Sequence, residues 1–129
     1  MIGKVLLQAL QKEGYSLSIL SRKRQKIPGV QVFLWDVYRQ KIDKECLNGV
    51  DTIIHLAGEN IADKKWTRER KQQIVDSRVL STQLLYQTMR ENTHVVKDMI
   101  AASAVGYYGE CGGEILTEQS ENGYGFLEE

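Results

Sequence analysis

The order of apolar segments predicts an α/β protein built on a mainly parallel, doubly wound sheet with helices on both faces. Three observations carry that expectation. Helical and strand-like periodicities follow one another as helix, strand, strand, strand, helix, strand. The third strand segment is a mostly apolar run of the kind that a parallel sheet buries on both faces. The chain, 129 residues with 42% hydrophobic content, is the size of one domain and carries enough apolar surface for a core.

The first element follows from Ile2, Val5, Leu6, Ala9 and Leu10, whose i, i+3, i+4, i+7, i+8 spacing is the one-sided stripe of a surface helix; Gly14 stands where a C-terminal cap belongs. Residues 15–20, with Leu17 and Ile19 flanked by serines, predict a strand. The basic cluster Arg22, Lys23, Arg24 and Lys26 then forms a charged loop leading to the only proline, Pro28. Residues 30–35 are β-branched and aromatic enough for a second strand, and residues 43–47 suit a short helical turn. The run 50–57, closed by Gly58, predicts a third strand buried on both faces. From Thr67, a suitable N-cap, to about Asn92 the spacing of Val75, Val79, Thr82, Tyr86 and Met89 predicts a long helix with that stripe as its apolar face. Residues 99–105 predict a fourth strand, followed by a glycine-punctuated tail.

Composition narrows the function classes. Seventeen basic and seventeen acidic residues cancel, so no global field gathers nucleic acid or an anionic membrane. Cys46 and Cys111 lie far apart and lack the close Cys/His spacing of a zinc site or a redox dithiol. The opening residues show no leader-like n-region and h-region, and no apolar run approaches membrane-spanning length. The cytoplasm is the expected compartment.

In a doubly wound sheet the first strand feeds a glycine-rich turn and then a helix whose N-terminal amides hold a pyrophosphate. Gly3, at the head of the first helix, stands where the third glycine of a G-x-G-x-x-G loop would let that helix pack closely on the sheet; the alternative is an incidental glycine near a start Met. Three strand endings add to this: Ser21-Arg22-Lys23, Ile53-Ile54-His55-Leu56-Ala57-Gly58-Glu59-Asn60 and Ser103-Ala104-Val105-Gly106-Tyr107-Tyr108-Gly109. Together with Asp63, Trp66, Asp76-Ser77-Arg78 and Ala102 they resemble the short-chain dehydrogenase/reductase superfamily. Within it they are most similar to an atypical, sugar-nucleotide-epimerase-like subgroup of NAD(P)-binding proteins, over essentially the whole chain.

The resemblance implies a Rossmann-like sheet with one more strand between the first and third strands read here. Without it two central edges stand unpaired, so the expectation is a partial NAD(P)-binding domain that continues at both ends, the C-terminal substrate-binding portion being absent.

Site residues follow from the residues and the resemblance together. Arg22, after the first strand, suits the 2'-phosphate of NADP where an acidic residue would select the ribose hydroxyl of NAD, and Ser21 precedes it; the other reading is a solvated basic loop. Asp36 resembles the family's adenine-contacting carboxylate, or else is a strand-ending Asp in a turn. Leu56, Ala57 and Gly58 resemble the turn over the cofactor's ribose and phosphates, where small residues admit the ligand to the backbone, or form a tight strand-to-loop turn. Arg78 shares a helix line with Ile74, Ser81 and Leu85 and wants an anion: a cofactor phosphate with Gln73 as helper, or an internal carboxylate.

Ser103 aligns by resemblance with the Ser or Thr that hydrogen-bonds the reacting oxygen, its alternative being a strand-end serine bonded to its own backbone. The family's Tyr four residues before a Lys is not found: Tyr124 has Glu128 in that place, and Tyr107 and Tyr108 read as pocket walls. The resemblance thus implies an epimerase or oxidoreductase taking NADP ahead of NAD and acting on a small, nucleotide-linked substrate. It makes a homodimer reasonable. The alternative is a non-catalytic NADP-binding sensor or partner-binding module.

Overall fold

A computed structural model describes residues 2–102 and 105–124, with the backbone alone at Val105. Its order is α1 (Ile2–Lys12), β1 (Leu17–Ser21), β2 (Val30–Asp36), β3 (Lys41–Ile42), a 3-10 turn (Lys44–Leu47), β4 (Thr52–His55), α2 (Arg68–Glu91), β5 (Asp98–Ala101) and a second 3-10 turn (Val105–Tyr108).

Helix α1 ends as its sequence predicts. Gly14 takes a φ of 82°, its amide donates to the Gln11 carbonyl at 3.1 Å, and the Tyr15 amide donates to the Leu10 carbonyl at 3.2 Å. This is the paired closure in which a left-handed glycine turns the chain back over the last helical carbonyls. Gln11 Nε2 then donates to the Pro28 carbonyl at 2.8 Å, tying the helix to the loop before β2.

The strands form a mixed, mainly parallel α/β arrangement. β1 runs parallel to β2, from Leu17 opposite Val30 to Ser21 opposite Leu34. β4 runs parallel to β5, from Thr52 opposite Asp98 to His55 opposite Ala101. The two-residue β3 adds an antiparallel edge, Trp35 opposite Ile42; two residues are too few to show periodicity, and this strand was not expected. The ladders stay separate, in the orders β1-β2-β3 and β4-β5, so among the described residues one edge each of β1 and β4 has no partner.

Two expectations about burial are corrected. β4 is not buried on both faces: Thr52 and Ile54 are exposed while Ile53 and His55 are half-buried. It pairs along one edge only, and α2 reaches just the face that carries His55. On α2, the expected stripe faces outward at Val75, Val79, Thr82 and Tyr86, with Met89 half-buried. The buried line is Arg70, Ile74, Ser81, Leu84, Leu85 and Thr88. Polar residues occupy it because their hydroxyls are satisfied by the helix itself: Ser81 Oγ donates to the Arg78 carbonyl at 3.0 Å and Thr88 Oγ1 to the Leu84 carbonyl at 2.6 Å. Hydropathy alone therefore selects the wrong face. The buried apolar cluster draws Ile74, Leu84 and Leu85 from α2, Cys46 and Leu47 from the first 3-10 turn, and Val37 from the end of β2. The fourth strand is also shorter than expected, ending at Ala101 rather than 105.

Candidate functional site

Parallel pairing brings strand C-termini to a common side, and two of the loops that leave them meet. Arg22, directly after β1, places Nη1 3.6 Å from Oε1 of Glu59, in the loop after β4. This contact crosses from one ladder to the other. The Arg22 side chain is 73% exposed and that of Glu59 31%, so the arginine is the free arm and the glutamate the anchored partner.

The anchoring comes from α2. Thr67 caps the helix, its Oγ1 accepting from the Arg70 amide, and Arg70, Ser77 and Arg78 lie on the side of α2 that meets the loop. Arg70 is 7% exposed. Its Nη1 donates to Glu59 Oε2 at 3.1 Å and to Gln73 Oε1 at 3.2 Å, and its Nη2 donates to the Asn60 carbonyl at 2.6 Å. Nε of Arg70 is buried without a partner. Ser77 Oγ accepts from the Glu59 amide at 2.9 Å and donates to the Ile74 carbonyl at 2.8 Å. Arg78 spans from the Ile74 carbonyl, 3.1 Å from Nη1, to the Glu59 carbonyl, 3.4 and 3.3 Å from Nη1 and Nη2. The amide, carbonyl and carboxylate of Glu59 are thus all held by one helix.

The loop continues this ordering. Asn60 Oδ1 accepts from the Ala62 amide at 3.0 Å, and Trp66 Nε1 donates to the Ile61 carbonyl at 2.8 Å. Behind it, His55 Nε2 lies 3.1 Å from Ser81 Oγ and 3.2 Å from Thr82 Oγ1. Both hydroxyls are within hydrogen-bond distance of the same ring nitrogen, and Ser81 Oγ also donates to the Arg78 carbonyl. Burial holds the imidazole below its ordinary value of 6.5, since the charged form loses hydration there.

The expected site residues are placed as follows. Ser21 organises the basic loop: its Oγ donates to the Lys23 carbonyl at 2.8 Å and accepts from the Lys23 amide and Gln25 Nε2. Asp36 closes a turn, Oδ1 accepting from the Arg39 amide at 3.0 Å with the Arg39 guanidinium 3.8 Å away. Leu56 is exposed and Ala57 half-buried. At Gly58 an added Cβ would stand 3.0 Å from Arg78 Cζ, so the guanidinium of α2 lies close against this turn. Arg78 itself finds carbonyl oxygens rather than a carboxylate, and exposed Gln73 serves Arg70. Around Gly3 a Cβ would meet nothing within 4 Å. Gly3 and Asp36 take no part in the Glu59 network. Ser103 lies outside the described residues.

Sequence reasoning missed Arg70 and left Glu59 without a role. The signal was available: Arg70 shares a helix line with Ile74, Ser81 and Leu85, and an arginine on a line that turns inward requires an anion.

The donors suit a phosphorylated nucleotide. Three guanidinium groups meet at one residue, Arg22 and Arg70 at the Glu59 carboxylate and Arg78 at the Glu59 backbone carbonyl, and Arg22 offers most of its planar fork to solvent. The first turn of α1 carries no acidic residue to offset its positive end. Among the described residues no group of His, Cys, Asp and Glu is arranged to hold a metal ion, and no helix is long and apolar enough to cross a membrane.

Comparison with known proteins agrees with this chemistry. Residues 1–125 match the model of the NAD dependent epimerase/dehydratase family. An epimerase family protein of Mycobacterium leprae is 32% identical over 127 residues, 98% of this chain and 40% of that relative. The nucleoside-diphosphate sugar epimerase of Corynebacterium glutamicum superposes with a TM-score of 0.77 at 40% identity, over 99% of this chain and 26% of that one. A human epimerase family protein, determined with NADPH, superposes with a TM-score of 0.79 at 25% identity, over 99% of this chain and 42% of that one. The chain therefore spans about two fifths of the length of the curated relatives it matches.

Proposed function

Because the chain belongs to the NAD dependent epimerase/dehydratase family, we propose that it is the cofactor-binding part of an NADP-dependent epimerase or oxidoreductase acting on a small, nucleotide-linked substrate. The fold is Rossmann-like, and family and structural relatives support a nicotinamide cofactor. The preference for NADP rests on one observation: Arg22 leaves β1 with an exposed guanidinium at the end of the parallel strands where the loop after β4 also arrives.

When bound, a nicotinamide cofactor supplies reversible hydride exchange with a substrate carbon. The protein's part is placement. Arg22 meets the 2'-phosphate with Ser21 shaping its loop; Leu56, Ala57 and Gly58 border the ribose and phosphates; Arg78 faces the same cofactor phosphates from α2, with Gln73 as helper; and Asp36 borders the adenine. Gly3 opens the helix whose amides face the pyrophosphate. Ser103 orients the substrate oxygen, on the strength of the resemblance alone. This reading is preferred over a non-catalytic sensor because the relatives that match the chain are named as epimerases. The proposal extends to a partial nucleotide-binding domain in which one further parallel strand fills the place between β1 and β4, in a cytoplasmic protein that forms a homodimer.

The test is calorimetric titration of the full-length protein with NADPH and NADH. NADPH should bind the more tightly, and Arg22→Asp should weaken it by about ten- to a hundredfold, the worth of one or two charge-assisted hydrogen bonds, while sparing NADH. Equal affinities in the unaltered protein would remove the NADP assignment.

A further inference from the structure

We propose that Glu59 is a specificity-determining residue: it holds Arg22 across the gap between the two ladders when no nucleotide is present, and a 2'-phosphate must displace it. The inference rests on the reading of Arg22 as the 2'-phosphate ligand and adds a residue to which that reading assigned no role.

The geometry is asymmetric. Glu59 is fixed through Ser77, Arg78 and Arg70, so its carboxylate cannot follow Arg22 if Arg22 moves. Arg70 occupies Oε2, leaving Oε1 as the oxygen turned toward Arg22. The Arg22 contact is long, single-pronged and exposed, hence weak. A phosphate dianion offers three oxygens to the same planar fork and replaces one distant carboxylate oxygen by a bidentate pair. Exchange is therefore downhill for a 2'-phosphorylated nucleotide, while a nucleotide with a plain ribose hydroxyl has nothing to offer Arg22 in return. Breaking the Arg22 contact to Glu59 uses up part of what the phosphate gains, so Glu59 tempers NADP affinity below what Arg22 alone would confer.

The measurement is calorimetric titration of the full-length protein and three variants, Glu59→Gln, Arg22→Gln and the double variant, with NADPH and NADH. The amide introduced by Glu59→Gln still offers an oxygen to Arg70 but no charge to Arg22. Glu59→Gln should tighten NADPH by about two- to fivefold, the upper range of an exposed ion pair, and leave NADH unchanged. In the Arg22→Gln background the same change should have no effect on NADPH. Weaker or unchanged NADPH binding in Glu59→Gln, with Arg22→Gln still impaired, overturns this inference and leaves the cofactor reading standing. An unchanged NADPH-to-NADH ratio in Arg22→Gln overturns both. Persistence of the Glu59→Gln effect without Arg22 also overturns it. Should Glu59→Gln fail to fold, the unaltered protein decides: the Arg22 Nε–H resonance should shift with NADPH and stay with NADH, and the same response to both sinks the proposal.

Discussion

Replacing Arg70 by Met tests whether the buried guanidinium holds the loop after β4 or is merely tolerated. Met keeps an apolar stem of similar length, so the change removes polar contacts more than volume. The bond to Glu59 Oε2 at 3.1 Å is charge-assisted, and such bonds contribute about 1.5–3 kcal/mol. The Glu59 side chain is 31% exposed and recovers part of its hydration, which lowers the loss to about 1–2 kcal/mol. The Asn60 carbonyl, 2.6 Å from Nη2 on an exposed residue, adds about 0.5–1 kcal/mol. Gln73 is exposed and adds nothing. Against this, Nε is buried without a partner, and removing it recovers about 1 kcal/mol. The net expectation is a destabilisation of about 0.5–2 kcal/mol, read by urea unfolding of the full-length protein from tryptophan fluorescence. Because Arg70 and Glu59 touch, Arg70→Met and Glu59→Gln should also couple by about 1 kcal/mol. An Arg70→Met protein as stable as the parent, with no coupling, would show that desolvation of Arg70 cancels its bonds and that the loop is held by Ser77 and Arg78 alone.

Three further outcomes follow from the same contacts and burial. Thr67→Ala removes the hydroxyl that accepts from the Arg70 amide and should cost about 1 kcal/mol by urea unfolding; a change below about 0.3 kcal/mol would mean that the cap is redundant. The folded state binds a proton at His55 more weakly than the unfolded chain does, because burial lowers its pKa from 6.5. The associated stability is complete above that value and is lost as pH falls through and below it. His55→Gln should therefore lose less of its urea midpoint than the parent between about pH 7.5 and 5.5, and equal losses refute the assignment. Burial, with Asp43 nearby, pushes the Cys46 thiol up to about 11, so alkylation at about pH 8 should await unfolding; mass spectrometry showing Cys46 modified as fast as a free thiol contradicts this.

Where local chemistry dictates structure, the sequence was readable. The Gly14 closure of α1, the Thr67 cap of α2 and the 3-10 turn opened by Asp43 each depend on one or two residues whose backbone preferences leave few alternatives. The parallel pairing of β4 with β5 follows from the helix between them, whereas β1 and β2, joined by a loop alone, are parallel as the resemblance implies. The face of α2 was not readable from hydropathy. Val75 and Val79 are far more apolar than Ser81 and Thr88, yet the hydroxyls go inside because a helical carbonyl one turn back satisfies each of them. The candidate site shows the same contrast. Arg22 could be located from its position after a strand, whereas the roles of Arg70 and Glu59 depend on which way the helix faces.

Phase is what ties the fold to the site. Successive residues of a helix turn by about 100°, so residues 70 and 77 project from nearly the same side of α2 with residue 78 beside them, and together they hold the carboxylate, amide and carbonyl of Glu59. Turning that side of the helix away would leave the Glu59 amide, carbonyl and carboxylate without these partners at once. The loop after β4 is therefore set by a cap and a helix, independently of any nucleotide. The loop after β1 has no such bracing: Ser21 arranges its backbone, and Arg22 reaches across to a partner it holds weakly. Preorganisation thus resides at residue 59 and adaptability at residue 22. On that division of roles, substitutions that change which cofactor is preferred should be tolerated at Arg22 with little loss of stability, whereas substitutions at Arg70, Ser77 or Arg78 should reach cofactor affinity only by first disordering the loop.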